Sequence, residues 1–139
     1  MWTKSYSVTT RDVTKEQMWN LFADVNKWPL WDEGVEFTEL KGNFEKGNSF
    51  ILKPKGGPKT KVTLLESVVN KSYIDVTAFP LAKMYGSHVF EETPDGLKIT
   101  ITMSVKGILA FLWVKIVAQD IVKGLPEDVK KQIKTAGKL

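Results

Sequence analysis

One segment in the C-terminal half constrains the fold more than any other, because its periodicity changes abruptly at a glycine. Over residues 97–105, apolar and polar side chains alternate strictly, which predicts a half-buried antiparallel strand. After Gly107 the alternation stops, and residues 108–134 have a helical pattern with a predicted kink or break at Gly124 and Pro126. A last strand that leads into a long helix predicts a sheet with one apolar face and one helix to cover it.

The N-terminal part of the chain predicts one strand and two helices. Residues 2–10 alternate loosely, which is typical of a strand. Thr14 and Gln17 have the spacing of a capping box, so we expect a helix to begin there. Its apolar residues recur at helical spacing and form one stripe: Met18, Leu21, Phe22 and Val25. Pro29 directly follows Trp28, which predicts a second short helix with the proline in its first turn.

Five further strand-like segments lie between the second helix and residue 97, separated by turn signals. They cover residues 35–41, 48–53, 61–67, 72–79 and 83–91. Short turns between strands of this length predict an antiparallel meander, and the strand that begins at residue 97 is its last member.

The composition argues against several classes of site. The chain has no cysteine and one histidine, which excludes thiolate chemistry and leads us to expect no metal centre. Only Arg11 among the 20 basic residues is an arginine, so we expect no nucleic-acid partner. The longest apolar stretch, residues 108–118, is too short to cross a bilayer. With no signal-peptide pattern at the N-terminus, we expect a cytoplasmic protein without an integral membrane segment.

Three local motifs, taken with the order of the elements, resemble one superfamily. They are residues 18–32 with their tryptophan-proline-tryptophan turn, residues 87–92 followed by Gly96, and Gly107 leading to residues 125–129. They resemble the START-like (SRPBCC) superfamily, and within it the polyketide cyclase/dehydrase and lipid-transport group. The resemblance implies an α+β helix-grip (Bet v 1-like) fold in a single domain, residues 1–139. In this fold a curved antiparallel sheet of six to seven strands wraps around a long C-terminal helix, with two short helices after strand one.

His88 is the first candidate for a polar group facing the helix. If the turn at residues 93–96 pairs Glu92 with Leu97, His88 lies opposite Ile101 and points to the concave face of the sheet. An imidazole on an apolar wall can hold a ligand by a hydrogen bond or act as a general base. A register shifted by one residue would place it in solvent instead. His88 is therefore a ligand-binding candidate and the one weak candidate for catalysis.

The sequence does not determine which face of the strand at residues 72–79 points toward the helix. Tyr73 and Asp75 alternate with Ile74 and Val76, so only one of these pairs faces the helix. Because burying a carboxylate costs free energy, we favour Ile74 and Val76 inside and Asp75 in water. Tyr73 and Asp75 remain ligand-binding candidates in the opposite arrangement. The other expected wall residues are large and apolar: Met84, Phe90, Ile101, Met103 and Trp113.

Three functions stay open at this point. The pattern and the resemblance together favour binding, or transport, of a small hydrophobic ligand such as a lipid, isoprenoid or aromatic polyketide, with no cofactor. The second is a metal-free cyclase or dehydratase in which His88 or Asp75 moves protons. The third is a ligand-free interaction module, a homodimer included, that uses an exposed helix face. That face is one of two sets: Leu109, Leu112 and Trp113, or Ile108, Phe111 and Lys115.

A group of lysines surrounds a predicted hairpin turn at Gly56 and Gly57. They are Lys53, Lys55, Lys59 and Lys61. The segment lacks the spacing of a phosphate-binding loop, so we expect a solvated hairpin tip. The alternative is a cluster that attracts anionic lipid or a carboxylate ligand at the mouth of the cavity.

Overall fold

The computed structural model describes residues 1–139, and its main element is an antiparallel sheet of seven strands. The strands are β1 Trp2–Thr10, β2 Val35–Leu40, β3 Ser49–Pro54, β4 Thr60–Val68, β5 Ser72–Phe79, β6 Ala82–Thr93 and β7 Gly96–Lys106. Their order across the sheet is β1-β7-β6-β5-β4-β3-β2. Strands β2 to β7 therefore form the predicted meander, and β1 joins it beside β7. The predicted fold class is confirmed.

Two short helices follow β1, as predicted. Helix α1 spans Lys15–Ala23, a 3-10 turn covers Val25–Lys27, and α2 spans Trp28–Trp31. The capping box is present, because the Gln17 amide donates to Thr14 Oγ1 at 3.1 Å and the Thr14 amide donates to Gln17 Oε1 at 3.0 Å. The helices close one end of the concave face of the sheet. Trp28 is buried there and donates its indole N–H to the Phe22 carbonyl, which is a structural role.

The C-terminal helix is irregular near its start. It begins with α3, Ala110–Trp113, continues through one π-helical segment, Val114–Ala118, and ends with α4, Gln119–Ala136. Of the predicted kink or break at Gly124 and Pro126, a break is wrong, because α4 runs through both residues. Proline removes one backbone donor, but the helix around Pro126 is held by the buried side chains of Leu125 and Val129.

The core is divided into two separate clusters. The larger one, which we call the major cluster, lies under α1, α2 and α4 and contains Phe22, Tyr73, Phe90 and Ile101 among its 20 buried residues. The smaller one, the minor cluster, lies under α3 and the π-helical segment. Its buried members are Ala82, Val105 and Ala118, and Trp2, Met84, Ala110, Trp113 and Val114 pack against them.

Candidate functional site

His88 lies where the hairpin register predicts it. Glu92 pairs with Leu97 and His88 with Ile101, so the imidazole faces the concave side. Its ring stacks on Tyr73 with a centroid distance of 4.3 Å and an interplanar angle of 8°. Burial lowers the pKa of His88 from 6.5 to about 3, so the imidazole is neutral at physiological pH. Its Nδ1 atom is buried and has no hydrogen-bond partner.

The inward face of β5 is the opposite of the one that we favoured. Tyr73 is buried and packs against Trp19, Phe22, Phe44 and His88. Because side chains alternate along a strand, Asp75 faces the same way as Tyr73, and Ile74 and Val76 face the other side. Burial of the large Tyr73 ring among aromatic side chains outweighs the cost of bringing one carboxylate to the concave face.

Asp75 occupies space that a glycine leaves free. It pairs with Gly86 on β6, and a Cβ atom placed on Gly86 would lie 2.9 Å from Asp75 Oδ1. Burial raises the pKa of the Asp75 carboxyl from 3.8 to about 7, although a hydrogen bond with the Gly86 backbone acts in the opposite direction. The carboxyl is therefore protonated in a large fraction of molecules at neutral pH.

A strip of three residues separates the two core clusters. Asp75, Gly86 and Met103 follow one another across β5, β6 and β7 on the concave face, and we call them the central strip. Met103 is buried, yet it belongs to neither cluster. His88 borders the strip, because it follows Gly86 by two residues on the same strand face. The central strip and the bordering His88 thus place two ionisable groups and one flexible apolar side chain between the two clusters.

The other predicted wall residues are divided between the clusters. Phe90 and Ile101 are buried in the major cluster, where Phe90 stacks on Phe22. Met84 and Trp113 belong to the minor cluster. Trp113 is fixed at the far end, because it stacks on Phe79 at 4.6 Å and its indole N–H donates to a backbone carbonyl at 2.9 Å. The eight candidates therefore form three groups rather than a single wall.

Three surface clefts lie outside the central strip. The one with the largest volume of the three, about 640 Å³, runs between β1 and α4 and has Tyr6, Val8 and Ile133 among its lining residues. A second, of about 550 Å³, lies at the start of β5 and reaches Phe90, and a third, of about 220 Å³, lies between α2 and α4. No three His, Asp or Glu side chains lie together in a way that could hold a metal ion. None of the helices has the length and apolar character needed to cross a membrane.

Sequence reasoning missed two residues that shape this site. Phe22 was expected only to be buried, but its ring lies 5.5 Å from that of His88 and helps to define the end of the central strip. Gly86 was not considered, although a glycine inside a strand often marks a close approach of another group. That signal was present in the sequence and would have pointed to Asp75 across the sheet.

Comparison with known proteins agrees with this architecture. The family described as "Polyketide cyclase / dehydrase and lipid transport" matches residues 1–135. The chain belongs to this family. The START-like resemblance proposed from the three motifs is thereby confirmed, and the family is one in which hydrophobic ligand binding and cyclase-type activity both occur. No functionally curated protein matches the sequence.

Solved structures share the fold at low sequence identity. Ara h 8.0201 is 14% identical with a TM-score of 0.77, and 97% of each chain is covered. A START superfamily protein from Mycobacterium smegmatis is 13% identical with a TM-score of 0.71, covering 96% of this chain and 97% of that one. The di-domain ARO/CYC BexL from the BE-7585A biosynthetic pathway is 16% identical with a TM-score of 0.68. That match covers 98% of this chain and 49% of the longer protein. At these identities the similarity establishes the fold alone.

Proposed function

We propose that the protein binds a small, mainly hydrophobic ligand with one polar group, and that the ligand lies on the central strip between sheet and C-terminal helix. A lipid, an isoprenoid and an aromatic polyketide are the ligand classes that fit this description. Transport of the ligand would be one use of such binding. The observation that carries the proposal is the buried Nδ1 atom of His88, which has no hydrogen-bond partner. Asp75, whose carboxyl pKa is raised, lies on the neighbouring strand and supports it.

The cost of leaving a buried polar atom without a hydrogen bond supports ligand binding beside the central strip. A buried polar atom without a partner costs about 1–3 kcal/mol, so it is retained where a ligand completes its hydrogen bond. Neutral His88 offers either a donor or an acceptor, and protonated Asp75 offers a donor to a ligand carbonyl or hydroxyl. Met103 can change rotamer to fit an apolar body of varied shape.

Native mass spectrometry of freshly purified protein tests the proposal directly. A discrete adduct that is lost on denaturation supports it, and the adduct mass gives the ligand class. To test the location, binding of the fluorescent probe anilinonaphthalene sulfonate would be measured for His88→Gln and Met103→Glu. The matched control is Val89→Gln, on the opposite face of the same strand as His88 and partly exposed. Unchanged probe affinity and unchanged adduct in both His88→Gln and Met103→Glu would refute the location.

A metal-free cyclase or dehydratase is the second candidate, and one observation favours it. An Asp75 carboxyl with a pKa of about 7 can both accept and release a proton near neutral pH. His88 on the next strand, with its pKa lowered to about 3, stays neutral and can hold the substrate by a hydrogen bond. Such a pair suits proton removal beside a ketone and loss of a hydroxyl from a poly-β-carbonyl chain.

The pH profile distinguishes an enzyme from a carrier. With a poly-β-carbonyl substrate, kcat/KM of the enzyme is expected to titrate near the pKa of Asp75, and this titration disappears in Asp75→Asn. The control is Glu91→Gln, an exposed carboxyl on β6. Turnover that is the same in wild type, Asp75→Asn and His88→Gln would exclude this mechanism, whereas ligand binding could persist.

A further inference from the structure

One end of the molecule exposes a continuous group of large apolar side chains. Ile108 is 80% exposed and Phe111 is 73% exposed, although both lie where the chain passes from β7 into the C-terminal helix. Helix α3 contributes no buried residue. We call the exposed group the tip patch. It consists of Leu81, Ile108, Phe111, Leu112 and Ile116. Exposed apolar groups that are contiguous mark interaction sites more often than scattered ones do.

The two segments that form the tip patch are fixed to each other. The Leu109 amide donates to the Leu81 carbonyl at 3.1 Å, which joins the turn between β5 and β6 to the start of the helix. Gly107 has φ 124°, and any Cβ there would overlap the Leu81 backbone. Leu81 itself has φ 58°, a conformation that costs a non-glycine residue about 1 kcal/mol or more. The apolar residues are therefore held outward by a defined backbone, and Leu81 remains 63% exposed.

Lysines border the tip patch without compensating acidic groups. Lys83 and Lys106 pair directly across β6 and β7, and two like charges in that arrangement repel each other. Neither they nor Lys115 form an ion pair, although Lys106 lies over the Tyr85 ring at 5.4 Å. The sequence contains no Asp or Glu in residues 76–90 or 96–119, which include the whole tip patch.

The same end of the sheet carries a second group of lysines. In the antiparallel order, the hairpin between β3 and β4 lies at the end where β5 stops and β6 starts. Lys55 and Lys59 are exposed there, and Lys59 also lies over Phe37 at 5.0 Å. The charge of Lys53 is compensated by an ion pair, in which its Nζ atom lies 2.5 Å from Glu36 Oε2. This end of the molecule thus combines protruding apolar side chains with an excess of positive charge.

We propose that this end docks onto the surface of an anionic phospholipid membrane. The tip patch enters the boundary between headgroups and acyl chains, and the lysines bind lipid phosphates, with their aliphatic stems along the apolar surface. The positive charge favours an anionic surface over a neutral one, and the repulsion between Lys83 and Lys106 is relieved by phosphate groups between them. Because the Ile108 and Phe111 side chains are mostly exposed, they can enter lipid without disturbing the packing of Ala110 and Trp113 on the minor cluster. The docking does not depend on the identity of any ligand.

Co-sedimentation with lipid vesicles tests the proposal. Wild-type protein is expected to bind vesicles of phosphatidylcholine with phosphatidylglycerol more tightly than vesicles of phosphatidylcholine alone. The binding should weaken as salt is raised, because the Debye length falls from about 10 Å at 0.1 M to about 3 Å at 1 M. Equal binding to both vesicle types, or none to either, would overturn the proposal.

Matched pairs of variants locate the surface. Lys83→Gln with Lys106→Gln should weaken binding to anionic vesicles about 25-fold, since each basic residue at such a surface contributes about fivefold. Lys41→Gln with Lys46→Gln, both exposed at the opposite end of the sheet, is the control and should bind as wild type.

The apolar contribution has its own control. Ile108→Glu with Phe111→Glu should abolish binding. Val68→Glu with Val69→Glu, exposed at the end of β4 and in the turn that follows it, should not. Circular dichroism verifies that each variant is folded. Equal loss of binding in tip and control variants would overturn the proposal. So would a homodimer in sedimentation equilibrium that dissociates on Phe111→Glu, because the tip patch would then bind a second copy.

Discussion

The opposite pKa shifts of Asp75 and His88 predict two pH-dependent contributions to stability that cancel in the wild-type protein. Each should become visible when the other residue is substituted. Folding raises the pKa of Asp75 from 3.8 to about 7 and lowers that of His88 from 6.5 to about 3. Between pH 3.8 and 6.5, the unfolded chain therefore holds one proton on His88, and the folded chain holds one on Asp75. The two states bind equal numbers of protons at these sites, so the pair adds no slope to the free energy of unfolding.

Asp75→Asn should uncover the His88 contribution. A raised carboxyl pKa gives stability that is present at low pH and is lost as the pH rises through 7, and the substitution removes this effect. What remains is His88, whose lowered pKa gives stability above pH 6.5 that is lost as the pH falls toward 3. The free energy of unfolding of Asp75→Asn, relative to wild type, should thus increase by about 1.4 kcal/mol per pH unit.

His88→Gln should give a slope of the opposite sign. Without the histidine, only Asp75 changes its protonation on unfolding, so stability relative to wild type falls by about 1.4 kcal/mol per pH unit. Between about pH 4.5 and about pH 6, the difference in the free energy of unfolding between each variant and wild type should change by about 2 kcal/mol. The two difference curves should therefore have slopes of opposite sign.

Urea unfolding followed by tryptophan fluorescence measures these curves, since the chain contains five tryptophans. Subtracting wild type at each pH removes the contributions of all other ionisable groups, provided that the m-value is unchanged. Difference curves that stay parallel to the pH axis for both variants would refute the reasoning. That result would mean that Asp75 and His88 are hydrated as in the unfolded chain.

Two further substitutions test the packing described above. Gly86→Ala should lower the free energy of unfolding by about 1–3 kcal/mol in urea, because its Cβ would approach Asp75 Oδ1 to 2.9 Å. Adding Asp75→Ala should restore part of the loss, and strictly additive effects would contradict the contact. Thr14→Ala should cost about 1 kcal/mol, since it removes the cap that accepts the Gln17 amide. An unchanged melting temperature in that variant would show that the capping box contributes nothing to stability.

The position of His88 could be predicted because two independent features of the sequence agree on it. The turn at Thr93–Gly96 fixes the hairpin register, and the strict alternation in β7 fixes which residues face the helix. A one-residue error would have placed every apolar side chain of β7 in solvent. Alternation and turn chemistry are local properties, so they can be read without knowledge of the tertiary structure.

The inward face of β5 could not be predicted in the same way. Its residues alternate between one mixed set, Tyr73 with Asp75, and one apolar set, Ile74 with Val76, so the strand lacks a polar face. The outcome depends on aromatic partners from α1 and the loop before β3, and on the space above Gly86.

The pairing of β1 with β7 determines when the protein can finish folding during synthesis. Trp2 is synthesised before the whole meander, yet its partner is Val105, and Thr10 likewise pairs with Leu97 near the end of the meander. Until the ribosome releases β7, the first strand has no neighbour, and its half-buried residues Tyr6 and Val8 have no sheet to join. The meander can assemble strand by strand from local contacts, but the last step closes the longest loop in the chain and is intrinsically slow. A nascent chain stalled before residue 97 would thus present an unpaired β1 strand to chaperones and to other nascent chains on the same messenger RNA.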